Sequence, residues 1–327
     1  MHTFAIKHLL SGGLITNYFC SSRCRHCLYG CSPEWNKKYI DSKETIRSIE
    51  KILQLGCFSI HIGGGEPFLN SISLRDVINI CSGLGMGIEY IETNSSWYND
   101  EGSAAKLLLD LRDHGIHTLL VSISPFHNEY IPFKKVKSVI AACNKSGISV
   151  FPWIQDFYPE INSFPENKTH TLAEYCEEYG DRYIHSITSR YWLHPGGRFF
   201  KNFKNIFPQN SLDKIIDTDN GCKRLTDTTH FHCDLFGNYI PGLCSGLAIK
   251  TEDLGNSLDP EKYPIICSLY HEGVKGLLKK AREEYNFVPE QYYLSKCHLC
   301  QEIRKYLVIE HNFHSIELQP AEFYKNI

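Results

Sequence analysis

Three cysteines, Cys20-Ser-Ser-Arg-Cys24-Arg-His-Cys27, are the first residues of this chain whose types and spacing suit chemistry. A C-x3-C-x2-C array on a loop can bring three thiolates to three corners of a four-iron four-sulfur cube, leaving the fourth iron open and reactive. A zinc site is the competing chemistry, with Cys31 or His26 as the nearby fourth ligand. The chain has 14 cysteines in 327 residues and no basic, apolar secretory start. In a reducing compartment that density points to metal ligation or redox chemistry, not disulfides.

A second motif, Gly63-Gly-Gly-Glu66-Pro67, follows a predicted strand, where backbone without side chains can approach a ligand closely. Together the two motifs resemble the radical S-adenosylmethionine (SAM) superfamily. The resemblance implies a [4Fe-4S] cluster on Cys20, Cys24 and Cys27, with SAM chelating the open iron. It implies SAM contacts from Gly64, Gly65 and Glu66, and a place near the adenine for His26. Thr93 and Asn94 end a later strand where such enzymes set polar groups on the ribose. Ser122 and Ser124 alternate along the next strand, so both are expected to face the interior. His127 follows as a candidate catalytic or substrate-binding residue. An electron donor such as flavodoxin or ferredoxin comes with the resemblance, as does hydrogen abstraction by a 5′-deoxyadenosyl radical.

Near the C-terminus Cys222, Cys244 and Cys297-His-Leu-Cys300 resemble the auxiliary-cluster region of the SPASM and twitch subfamilies. Four thiolates would complete a second [4Fe-4S] cube with no open site, and a four-cysteine zinc site is the alternative. In detail the chain is most similar to radical SAM peptide epimerases, which carry adjacent ligand and hydrogen-donor cysteines after the hairpin proline. Here that place reads Pro241-Gly-Leu-Cys244, so Cys233 or Cys31 would supply the donor thiol, and Cys233 competes with Cys244 as fourth ligand. Epimerisation is one expected outcome. Oxidation or crosslinking, with the auxiliary cluster taking an electron, is another, and a zinc-stabilised binding protein is the non-enzymatic reading. The 19 residues before Cys20 leave no room for a leader-recognition domain, so a peptide and a small molecule are both open as substrate.

The elements that must position these residues alternate. Strand-like runs at 14–19, 57–62, 88–92, 117–124, 148–154 and 183–189 are separated by helix-like segments, with helices at 133–146 and 172–178 among them. The pattern predicts an α/β fold, a partial (β/α)6 TIM-like barrel over 1–209. An auxiliary-cluster domain over 210–327 follows, with a hairpin at 231–240 and helices at 272–285 and from 301. The proline-punctuated aromatic stretch 151–164 is either a substrate entrance or a packed loop. Lys plus Arg number 34 against 37 Asp plus Glu, which gives no basic footprint for nucleic acid. With 42% apolar and 22% charged residues and no membrane-length apolar run, the chain reads as a cytoplasmic globular protein.

Overall fold

Helix starts and stops in the first half of the chain follow local chemistry. Asp41 caps the helix Ser42–Gln54 by accepting the Glu44 N–H at 2.8 Å, and Asp100 caps Glu101–Asp113 through Ser103 at 2.9 Å. The helix Phe133–Ser146 ends on Gly147 in the left-handed region. The computed structural model describes residues 4–327.

Between these helices run five strands: β1 (Gly12–Ile15), β2 (Ser59–Gly63), β3 (Gly87–Thr93), β4 (Thr118–Ser122) and β5 (Ser149–Trp153). Short strands follow: β6 (Asn210–Ser211), β7 (Phe231–Asp234), β8 (Asn238–Ile240), β9 (Ile249–Lys250) and β10 (Tyr292–Tyr293). One sheet has the order β5-β4-β3-β2-β1-β7-β8-β9, and β6 pairs separately with β10. The β1 to β5 neighbours are parallel, as is the β1–β7 pair, whereas β8 and β9 continue antiparallel. The sheet is a partial barrel with an open side, as the alternating pattern predicts.

The sixth parallel strand is not the expected one. Residues 183–189 lie in the helix Tyr183–Arg190, where Tyr183 and Ile187, one helical turn apart, are the buried pair. Their apolar spacing serves a helix, and Tyr183 stacks on Tyr175 at 5.7 Å. The sixth place is filled by β7, which the expected boundary at 209/210 had put beyond the barrel. The aromatic stretch 151–164 is mixed in character: Phe157 and Ile161 enter the core, while Trp153, at the end of β5, faces the lumen cleft. No described helix is long and apolar enough to cross a membrane.

Candidate functional site

The first thiol loop is held from below by glycines. Beyond β1 the backbone of Asn17 and Phe19 accepts the Gly65 and Glu66 N–H groups at 2.7 and 3.2 Å. A Cβ on Gly65 would lie 2.1 Å from the Phe19 carbonyl oxygen, and one on Gly64, at φ +149°, would lie 2.6 Å from Asn17 Oδ1. Glycine is therefore needed for the turn after β2 to lie against the segment that delivers Cys20. Glu66 is fully buried and accepts Asn94 N–H at 2.6 Å and the Thr93 hydroxyl at 3.0 Å. It ties the end of β3 to this turn, and burial pushes its carboxyl up to about 7. Its side chain is not on the cleft wall, whereas the backbone of Gly64 and Gly65 is.

From above, Arg198 clamps the same loop. Its buried guanidinium donates to the carbonyls of Cys24 at 2.9 Å, Cys31 at 2.7 Å and Asn326 at 3.2 Å. Cys20, Cys24 and Cys27 all line one cleft of about 1220 Å³. Burial pushes the Cys20 thiol up to about 12, although Asn94 Nδ2 donates to its sulfur at 3.3 Å. Cys27 is drawn down to about 5, first by a hydrogen bond from the Cys31 thiol and also by the Arg198 charge. Cys31 is correspondingly raised and shares the cleft wall.

The other expected residues gather around these thiols. His26, Thr93, Asn94, Ser122 and His127 line the cleft. Among the described residues the buried His26 Nδ1 has no partner, while Nε2 meets the Tyr191 hydroxyl at 3.0 Å. Ser124 instead lies behind the wall, capping a short helix and meeting His127 Nδ1 at 2.7 Å. Three thiols on one cleft, bare glycine backbone and a buried imidazole nitrogen left without a partner among the described residues fit an iron–sulfur cluster with SAM beside it. Trp153, within the expected entrance stretch 151–164, and Glu92 on β3 also line the cleft, and the sequence reading missed the rest of the far wall: Tyr90, Tyr191 and Trp192, and the pair His230 and His232. Burial holds His232 well below the usual histidine range and lowers His61 beneath it to about 3, so both rings are neutral at pH 7.

A second cavity, of about 570 Å³, brings together Cys222, Cys244, Cys297 and Cys300. Cys297 and Cys300 sit in the first turns of the helix Lys296–Glu310 and face one side by their three-residue spacing. Cys244 closes the tight turn Pro241–Leu243, in which Gly242 is left-handed. Arg304 lines this cavity too, one helical turn from Cys300, and its buried Nε has no partner among the described residues. His194 and Leu243 line both cavities and so form the partition between them.

Cys233 joins neither cavity. Alternation along β7 sends His232 into the lumen and Cys233 to the opposite face, fully buried, where it neighbours Asp234, Thr251, Glu44 and Cys57. This corrects the expectation that Cys233 competes for the auxiliary ligand set or faces the SAM site as a hydrogen donor.

The sequence model of the Radical SAM superfamily matches residues 14–196, more than half of the chain. No curated protein sequence matches. Among solved structures, native anSMEcpe with bound AdoMet aligns at TM-score 0.45 and 13% identity, covering 92% of this chain and 97% of that one. Streptococcus suis SuiB bound to S-adenosylmethionine aligns at 0.36 and 15%, covering 86% and 70%. Coproporphyrinogen III oxidase (HemN) from Escherichia coli aligns at 0.36 and 10%, covering 91% and 89%. The matched span contains both the Cys20–Cys27 array and the Gly63–Pro67 turn, and the chain belongs to the radical SAM superfamily of enzymes.

Proposed function

We propose that this enzyme oxidises its substrate, a short peptide or a small molecule, with a second [4Fe-4S] cluster on Cys222, Cys244, Cys297 and Cys300 as electron acceptor. In this reading residues 1–209 together with β7 form the SAM-binding part and the rest of 210–327 the auxiliary part, and a flavodoxin or ferredoxin supplies the priming electron. The observation that carries the reading is the four-thiol cavity, which shares the wall residues His194 and Leu243 with the SAM cleft.

When bound, the first cluster and SAM supply hydrogen abstraction from carbon, and the second supplies a sink for the remaining electron. The protein's part is placement. Asn94 orients the Cys20 sulfur, while Tyr90, Trp153, Tyr191 and Trp192 provide an apolar wall that holds the substrate and excludes water. The substrate loses one hydrogen atom, then one electron and one proton, for a net loss of two hydrogens.

Anaerobic iron and zinc analysis tests the ligand set. About eight irons per chain is expected, whereas about four irons together with a zinc bound to sulfur at about 2.3 Å would overturn it. A redox-neutral outcome such as epimerisation is the second reading, favoured by one observation: the Cys31 thiol lines the cleft. Turnover in heavy water separates the two, because thiol quenching leaves deuterium in a product of unchanged oxidation level and oxidation leaves none.

A further inference from the structure

The lumen floor carries a set of donors that the radical chemistry does not use. Sheet register creates it. Gly13 on β1 pairs with His61 on β2 at one side and with His232 on β7 at the other. Strands two apart are separated by about 9.6 Å, a gap that a side chain between them would ordinarily fill. Here a Cβ on Gly13 would lie 2.3 Å from His61 Nε2. The two imidazoles therefore lean over the glycine from both sides, and their Nε2 atoms stand 2.9 Å apart.

A third imidazole completes the group. His230 lines the same cleft as His232, and one ring nitrogen from each of His61, His230 and His232 lies within 4.8 Å of the others. The Tyr29 hydroxyl meets His232 Nδ1 at 2.7 Å, which fixes that ring with Nε2 toward the group, as the outer partner of a metal-bound histidine does. Glu92 faces the cleft with a carboxylate oxygen 3.9 Å from His61 Nε2 and accepts no hydrogen bond from the described residues.

We propose that His61, His230 and His232 bind a divalent transition-metal ion of the zinc class at the floor of the SAM cleft. Three imidazoles suit such an ion and not magnesium or calcium, which prefer oxygen. Tetrahedral ligation at about 2.0–2.1 Å needs nitrogens about 3.3 Å apart, so shifts of an ångström or so bring the three rings into place. The fourth position faces the cleft beside Glu92. It takes an oxygen or nitrogen donor of the substrate, whose hydrogen-bearing carbon is thereby held against the SAM side of the lumen.

The test uses cluster-replete protein given two equivalents of zinc sulfate, desalted and measured for retained zinc and by zinc-edge X-ray absorption. One zinc per chain is expected, with only nitrogen and oxygen scatterers at about 2.0–2.1 Å. His230 is the partly exposed member, so His230→Ala is the variant of choice. It should keep the wild-type iron content, which reports the fold and the clusters, while zinc affinity falls at least about tenfold. No retained zinc, zinc at sulfur distance near about 2.3 Å, or unchanged retention in His230→Ala would each overturn the site. The first result would leave the 2.9 Å contact as a plain N–H···N hydrogen bond. Because iron is counted in the same samples, loss of the metal site and loss of the cluster reading are distinguishable.

Discussion

Gln301 holds Gly197 by both ends of its amide, Oε1 accepting the Gly197 N–H at 2.8 Å and Nε2 donating to the Gly197 carbonyl at 2.9 Å. Gln301 follows Cys300, and Gly197 precedes Arg198, the clamp on the first thiol loop. Gly197 is left-handed, and a Cβ there would lie 2.3 Å from the Leu28 carbonyl and 2.4 Å from that of Cys27. The amide of Gln301 is thus a strut that braces one group of thiols against the other.

Gln301→Ala leaves a buried N–H and a buried carbonyl unpaired, at about 1–3 kcal/mol each. The expected loss is about 2–6 kcal/mol in denaturant unfolding. SAM cleavage should slow as well, although Gln301 is not a residue of that cleft. A variant within about 0.5 kcal/mol of wild type would remove the strut from the argument.

Arg198→Met strips the donors from three carbonyls and withdraws a positive charge from beside Cys27. Arg198→Lys keeps the charge but loses the planar fork that reaches all three carbonyls. Iron retained after desalting should fall in the order wild type, Lys, Met, with the Met variant losing about four irons. Equal retention in Lys and wild type would mean that charge alone holds the loop.

Cys244→Ala and Cys300→Ala should each lose about half of the iron while reductive SAM cleavage persists, since the first three thiols are untouched. Cys233→Ala should leave iron unchanged, because that thiol faces away from both cavities. Iron loss in Cys233→Ala equal to that in Cys244→Ala would contradict the ligand assignment.

Glu317 is buried and accepts the Ile265 and Ile266 N–H groups at 3.0 and 2.6 Å, at the start of the helix Pro264–Glu272. Burial nonetheless pushes its carboxyl up to about 7. The folded chain therefore holds this proton more tightly than the unfolded chain, where glutamate titrates near about 4.3. The stability it brings is complete below the unfolded value and is lost as pH rises through about 7. Thermal midpoints should decline between about pH 5 and pH 8, and Glu317→Gln should make that slope shallower. An unchanged slope would assign the decline to other groups.

Local signals were legible and long-range ones were not. The predicted helix at 133–146 matches at both ends because Pro132 sets its entry and Gly147 its exit. The array Cys20–Cys27 and the Gly63–Pro67 turn are contiguous motifs; the three thiols, Gly64, Gly65 and Pro67 line the cleft, whereas Glu66 turns away from it to bond Thr93 and Asn94. The clamp Gly196-Gly197-Arg198 carries no such local mark, since its meaning lies in carbonyls about 170 residues earlier in the chain. His61 and His232 are 171 positions apart and become neighbours only through the glycine between them. The one available hint was Gly12-Gly13 at the start of a strand, where paired glycines signal the close approach of another group.

The pairing of β1 with β7 also sets a schedule for synthesis. Once β1 has left the ribosome, its outer edge has no neighbour until Phe231 follows, 216 positions after Ile15. At about 5–20 residues per second that interval lasts roughly 11–43 s, during which an unpaired strand edge and the apolar lumen beside it stand open to other chains. Yield in a cell thus depends on what shields that edge while the hairpin is still being made, and slower translation lengthens the exposure in direct proportion.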